Sequence, residues 1–221
     1  MRDSVEMVHD GVHSLVRNGS PSRRFSSSSL LLATGLERLI KMVLVLDDVH
    51  NNRPLSQGYF RHQLNHDLQK GFEAIASRGL WSPADSDPAV WEDGNVCRVV
   101  EILKDCSGVD RYAYFDPLFT TAETLDTPER FYARFLSDLE SQLPGSPEAW
   151  ANQDHAKINQ LIEQSRTMGV AVIQRLARAL CRIFTLGPIA GTSKVFTSYL
   201  SPFLYLRDEE LGTPRPLPNY T

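Results

Sequence analysis

The densest set of reactive side chains is RHQLNHD, residues 61–67, which gathers one arginine, two histidines and an aspartate in an otherwise apolar-patterned chain. Three chemistries fit those residue types. In metal-independent RNA cleavage, His66 would take the proton of a ribose 2′-hydroxyl or protonate the leaving oxygen. Arg61 would stabilise the charge gathering at phosphorus. Five residues apart on one regular helix, the two side chains point roughly 140° apart. They converge only if a helix begins between them or a second subunit completes the site. The plainer counterpart is an exposed arginine followed by a histidine near a helix N-cap.

The second chemistry is metal binding. His62 and His66 stand at i, i+4, a spacing that can put two imidazoles on one ion. His9 and His13 repeat it, with Asp10 beside them, and five of the six histidines precede residue 67. Neither pair sits in HExxH, no cysteine accompanies them, and the ExxH signature of carboxylate-bridged di-iron bundles is missing. Solvated histidines on polar faces are the competing reading, and neither a metal nor any other cofactor is expected. The third chemistry is that of HD-type phosphohydrolases, suggested by His66–Asp67. In those enzymes the pair normally ends an apolar helix, whereas here it follows the polar RHQLN.

Helices must position these residues, because most segments repeat at the helical period and few alternate. A first helix is expected over 5–16, with Val5, Val8, Val12, Leu15 and Val16 on one face. NGSPSRRFSSSS (18–29) reads as a loop whose serines can cap the next helix. That helix, about 29–48, has Leu32, Leu36, Leu39, Ile40, Val43 and Leu46 on a wide apolar face. Thr34, Glu37, Lys41 and Asp48 form its polar stripe, with Glu37 and Lys41 in the favourable i, i+4 order. VHNNRPLSQG is a loop by its Asn, Pro and Gly content. Leu64, Leu68, Phe72 and Ile75 mark a third helix.

WSPADSDPAVWEDGN (81–95) is the candidate boundary between subdomains. A short helix is expected over 96–104, and the stretch 107–125 is irregular and aromatic-rich. DTPERF opens a further helix, with Asp126 or Thr127 as cap and Pro128 at the first helical position. PGSP interrupts, and a long helical stretch follows over about 147–184, broken at most once. One or two short helices are expected between 193 and 210. The organisation read here is an N-terminal part, 1–80, and a C-terminal helical part, 96–210, packed together as one domain. Residues 211–221 form a disordered tail by composition.

ATGLERLIKMVLVLDD, a polar loop and then RHQLNHDLQKGF together resemble a HEPN (higher eukaryotes and prokaryotes nucleotide-binding) domain. The resemblance covers about residues 29–76. It implies an all-α, antiparallel helical bundle, usually dimeric, with additional C-terminal helices in this chain. Active members are metal-independent endoribonucleases of toxin–antitoxin, abortive-infection and CRISPR-linked systems, so roles in stress or phage defence are implied as well. Their signature is an arginine, often followed by a polar residue, then four to six positions to a histidine. Arg61, His62 and His66 satisfy that wording, and Glu37 would lie on the preceding helix facing the site.

Two departures bear on that assignment. In the RNases the motif lies near the last helix of the bundle, whereas here it follows the second. Non-catalytic HEPN-like proteins carry GLExxxK, a loop and HDLxxL opening the next helix, and LNHDLQKGF fits that arrangement. There the His66–Asp67 pair caps the helix and closes the loop. The expected function is therefore a non-catalytic module that binds a partner protein, a nucleotide or RNA, with the Arg61/His66 endoribonuclease as the alternative.

The rest of the chain narrows these classes. With 221 residues it can bury a core without disulfides, and 42% apolar with 23% charged residues is ordinary for a globular protein. A formal charge of −4 provides no global attraction to nucleic acid, so DNA is not expected and RNA would need a local patch. Cys97, Cys106 and Cys181 form no CxxC pair, which suits a reducing compartment. The N-terminus lacks the apolar run of a signal peptide, and Glu37, Arg38 and Lys41 interrupt the most hydrophobic window. A cytoplasmic protein without membrane contact is expected. Arg175, Arg178 and Arg182 would form an exposed cationic stripe near a helix C-terminus, complementing its dipole or holding an acidic partner. Tyr112, Tyr114, Phe115, Phe119, Phe131, Tyr132 and Phe135 are read as core packing around an irregular segment. GxxxxGK[ST], GxGxxG and GxSxG are all missing.

Overall fold

Val5, Val8 and Val12 recur at helical spacing, and a computed structural model buries all three on one face of α1 (Arg2–Arg17). The structure describes residues 1–17, 21–55, 58, 64–81, 88–107 and 128–214. After α1 come α2 (Pro21–His50), α3 (Leu68–Ser77), α4 (Gly94–Ser107), α5 (Pro128–Ser141), α6 (Ser146–Ala151) and α7 (His155–Leu186). The short helices α8 (Ala190–Ser193) and α9 (Thr197–Leu204) complete the series, with 3-10 turns between and after them. The fold is all-α, with no strand among the described residues.

The stretch expected as a loop before α2 is helical from Pro21 onward. Serine-rich sequence disfavours helix locally, but α1 lies against these turns and buries Ser28 and Ser29. The Ser28 hydroxyl donates to Ser14 Oγ at 2.6 Å. Ser28 and Ser29 are therefore buried within the helix rather than capping it, a case of tertiary contact overriding propensity. The α1–α2 approach is close because both helices carry glycine where they meet. A Cβ on Gly35 would stand 2.7 Å from Val8 Cγ2 and 2.8 Å from the Ser4 carbonyl oxygen.

Of the later helices, α4 and α5 lie where the apolar pattern placed them, whereas α3 starts only at Leu68, leaving Leu64 buried in the bend before the Asp67 cap. The proposed caps of α5, Asp126 and Thr127, and most of the aromatic segment lie outside the described residues. The long C-terminal stretch breaks once, at residues 152–154, where Asp154 restarts the helix by accepting from the Lys157 N–H at 3.0 Å. α7 is buried or half-buried at every residue from 169 to 184 and packs against α1, α2, α4, α5, α6, α8 and α9. One apolar cluster runs from Val5 in α1 to Leu206 beyond α9.

Arg178, expected on an exposed stripe, is instead one of the largest fully buried side chains. Its guanidinium donates to the Leu206 carbonyl at 3.1 Å and meets Asp208 at 2.7 Å. One turn earlier, Gln174 accepts from the Gly212 N–H at 2.6 Å and donates to the Thr213 carbonyl at 2.8 Å. Arg175 pairs with Asp93 at 2.8 Å. Arg175 and Arg178 thus clasp other segments of the chain, and the buried Arg178 guanidinium finds its partners there in place of water. The chain is held in this way to Thr213, and residues 215–221 of the expected tail lie outside the described residues.

Candidate functional site

The junction of α2 and α3 brings the charged residues of the polar stripe against the segment that opens α3. Glu37, on the second helix, is largely buried. Lys41, one turn on, donates to Glu37 Oε1 at 2.6 Å and also to the Asn65 carbonyl. Asn65 offers that carbonyl from a left-handed backbone (φ 43°), which asparagine tolerates better than most residues. His66 follows, with Nδ1 at 3.1 and 3.3 Å from the two oxygens of Glu37. A carboxylate only accepts, so Nδ1 carries the proton in this contact. The His66 side chain is 54% exposed.

Asp67 serves as N-cap of α3. Its carboxylate accepts from the Lys70 N–H at 3.1 Å, and its backbone is extended as a cap requires. α3 is seated close to α2 because residue 71 is glycine, where a Cβ would meet Ile40 Cγ2 at 2.6 Å. Of the residues singled out for chemistry, the structure thus joins Glu37 to His66 and assigns the cap to Asp67. Arg61 and His62 lie outside the described residues. The other histidine pair, His9 and His13, has ring centroids 4.3 Å apart, with His9 Nδ1 at 3.3 Å from Asp10.

A second polar cluster, which the residue pattern did not disclose, secures the far end of the same junction. Asp47 and Asp48 are both buried in the last turn of α2. Arg78, the C-cap of α3, donates from Nη1 to both carboxylates at 2.8 Å. Arg53 contributes Nε to Asp48 at 2.8 Å and Nη2 to Asp47. Two adjacent acids at a helix C-terminus oppose the helix dipole. That local conflict was the available signal that cations must lie opposite them.

The junction can therefore do two things. It can hold α3 at a set angle on α2, through hydrogen bonds at one end and ion pairs at the other. It can also present one oriented imidazole at the surface, its tautomer held by a buried carboxylate, the arrangement of a histidine acting as a general base. Comparison with protein-family models, curated proteins and solved structures finds no match to this chain.

Proposed function

We propose that the chain is a HEPN-like antiparallel bundle whose α2–α3 junction serves recognition of a partner protein, a nucleotide or RNA. The observation that carries this reading is that the junction's reactive groups are engaged in its own architecture. Asp67 caps α3, Glu37 holds Lys41 and His66, and Lys41 also binds the Asn65 carbonyl. A cytoplasmic, dimeric protein of stress or phage defence is the setting that the resemblance implies.

A second reading, the metal-independent endoribonuclease, is favoured by one specific feature. His66 is more than half exposed while its Nδ1 rests on the buried Glu37 carboxylate. Nε2 would take the 2′-hydroxyl proton, Glu37 would stabilise the resulting imidazolium, and Arg61 would meet the charge on phosphorus.

One experiment separates the two. Mixed-sequence RNA is incubated with purified protein in excess chelator, and binding of the same RNA is followed by fluorescence anisotropy. Saturable binding with intact RNA is the expected outcome. Cleavage that disappears in folded Arg61→Ala and His66→Ala proteins would replace the module with the enzyme. Neither binding nor cleavage would remove RNA and leave a nucleotide or a partner protein, tested in the same titration format.

A further inference from the structure

Helices α5, α6 and α7 enclose an open cleft of about 230 Å³, separate from the α2–α3 junction. A cavity of ~150 Å³ takes up a benzene ring, so this space suits a somewhat larger organic molecule. Ala133 and Leu136 of α5 and Ile162 of α7 supply apolar walls, and the exposed Trp150 of α6 forms a further wall.

Two charged residues line the cleft, Glu140 of α5 and Arg166 of α7. Glu140 lines it and is 7% exposed, so its carboxylate has lost most of its water. Its partners are neutral donors: the Ser146 hydroxyl reaches Oε1, and the Trp150 indole N–H lies 3.0 Å from Oε1 and 3.2 Å from Oε2. No cation meets Glu140 among the described residues. Arg166 on the opposite wall is already paired with Glu163. Among the described residues Oε2 receives only the longer leg of one shared hydrogen bond, and a buried anion without counter-charge is costly. The same indole that fixes Glu140 offers a π face where a cation would be favoured.

We infer that this cleft binds an organic cation, a primary ammonium or guanidinium on a short apolar body. The N–H groups bond to Glu140 Oε2, and the body lies between Leu136, Ile162 and the Trp150 ring. A ligand of this class completes the carboxylate's hydrogen bonding and its charge together, which neither an alcohol nor a carboxylate of the same shape can do.

The test is calorimetric titration of the full chain with phenethylammonium, beside its neutral counterpart phenethyl alcohol and the anion hydrocinnamate. Expected are saturable binding of the ammonium, binding of the alcohol weaker by about tenfold or more, and none of the anion. Glu140→Gln retains an acceptor for Ser146 and Trp150, and it should lower the ammonium's affinity to the level of the alcohol. Equal affinity for ammonium and alcohol would overturn the proposal, as would undiminished binding by Glu140→Gln or no saturable binding to the wild-type chain. Should Glu140→Gln not fold, Ala133→Phe closes the cleft from an exposed position. Ammonium binding must vanish in that variant, and binding that survives it defeats the assignment.

Discussion

A single side chain opens α3, and its contribution can be isolated. Asp67→Ala removes the acceptor for the Lys70 N–H and should cost about 1 kcal/mol, read as a lower urea midpoint with unchanged slope. Asp67→Asn should recover most of that loss, since an amide oxygen caps nearly as well. Arg78 is held more firmly. Its removal leaves the buried Asp47 and Asp48 with one cation, Arg53, among the described residues and the Asn51 amide on Asp47, so Arg78→Ala should destabilise by about 3 kcal/mol. A midpoint within error of wild type would mean that water already compensates those carboxylates. At this scale much of the candidate site was legible. Glu37 and Lys41 at i, i+4 announced their own pair, and His-Asp before Leu68 announced a helix start. The contact of Lys41 with the Asn65 carbonyl was not legible, because it depends on where a left-handed asparagine turns the chain.

Between elements, the α1–α2 approach rests on small residues. Gly35→Ala would gain helix propensity, about 1 kcal/mol, but the new methyl meets backbone atoms of α1 that cannot rotate away. Overpacking of roughly 1–3 kcal/mol should prevail, so the variant should melt below wild type. Gly94→Ala in the first turn of α4 is the matched control, with nothing within 4 Å of its added methyl. It should be neutral or slightly stabilising. A Gly35→Ala protein that melts above wild type would show that α1 and α2 can separate at no cost. The same interface bears on the serine-rich start of α2, where Ser28 meets Ser14 of α1 while Phe25 stacks on Tyr132 of α5.

For the molecule as a whole, acid stability follows from carboxylates that tie distant segments to α7. Burial alone would raise the Asp93 pKa, but the Val96 and Asn95 N–H groups and the Arg175 guanidinium outweigh it and hold it below 3.8. Arg178 likewise holds Asp208 below 3.8, through its hydrogen bond and then its charge. A native pKa below the unfolded value means that the unfolded chain takes up protons first as pH falls. The stabilisation is complete above the ordinary carboxylate range and is lost as pH drops through the lowered native values. Asp93→Asn should therefore melt below wild type at pH 7 and approach it in acid below the ordinary carboxylate range. A gap that stays constant with pH would mean that the aspartate's charge contributes nothing.

The residue pattern by itself determined that the chain is helical, where most helices lie and which faces they bury. Such information is local: a 3.6-residue period, a proline at a first turn or an aspartate before an apolar run acts within a few residues. Tertiary structure alone decided that the serines before α2 are helical, that Arg178 is buried and that Asp47 and Asp48 face Arg78. Each of those outcomes rests on a partner well separated along the chain: Ser14 for Ser28, Leu206 and Asp208 for Arg178, and Arg78 for the two aspartates. Local propensity contributes tenths of a kcal/mol per residue, whereas a buried polar group without its partner costs whole ones, so packing prevails where the two disagree.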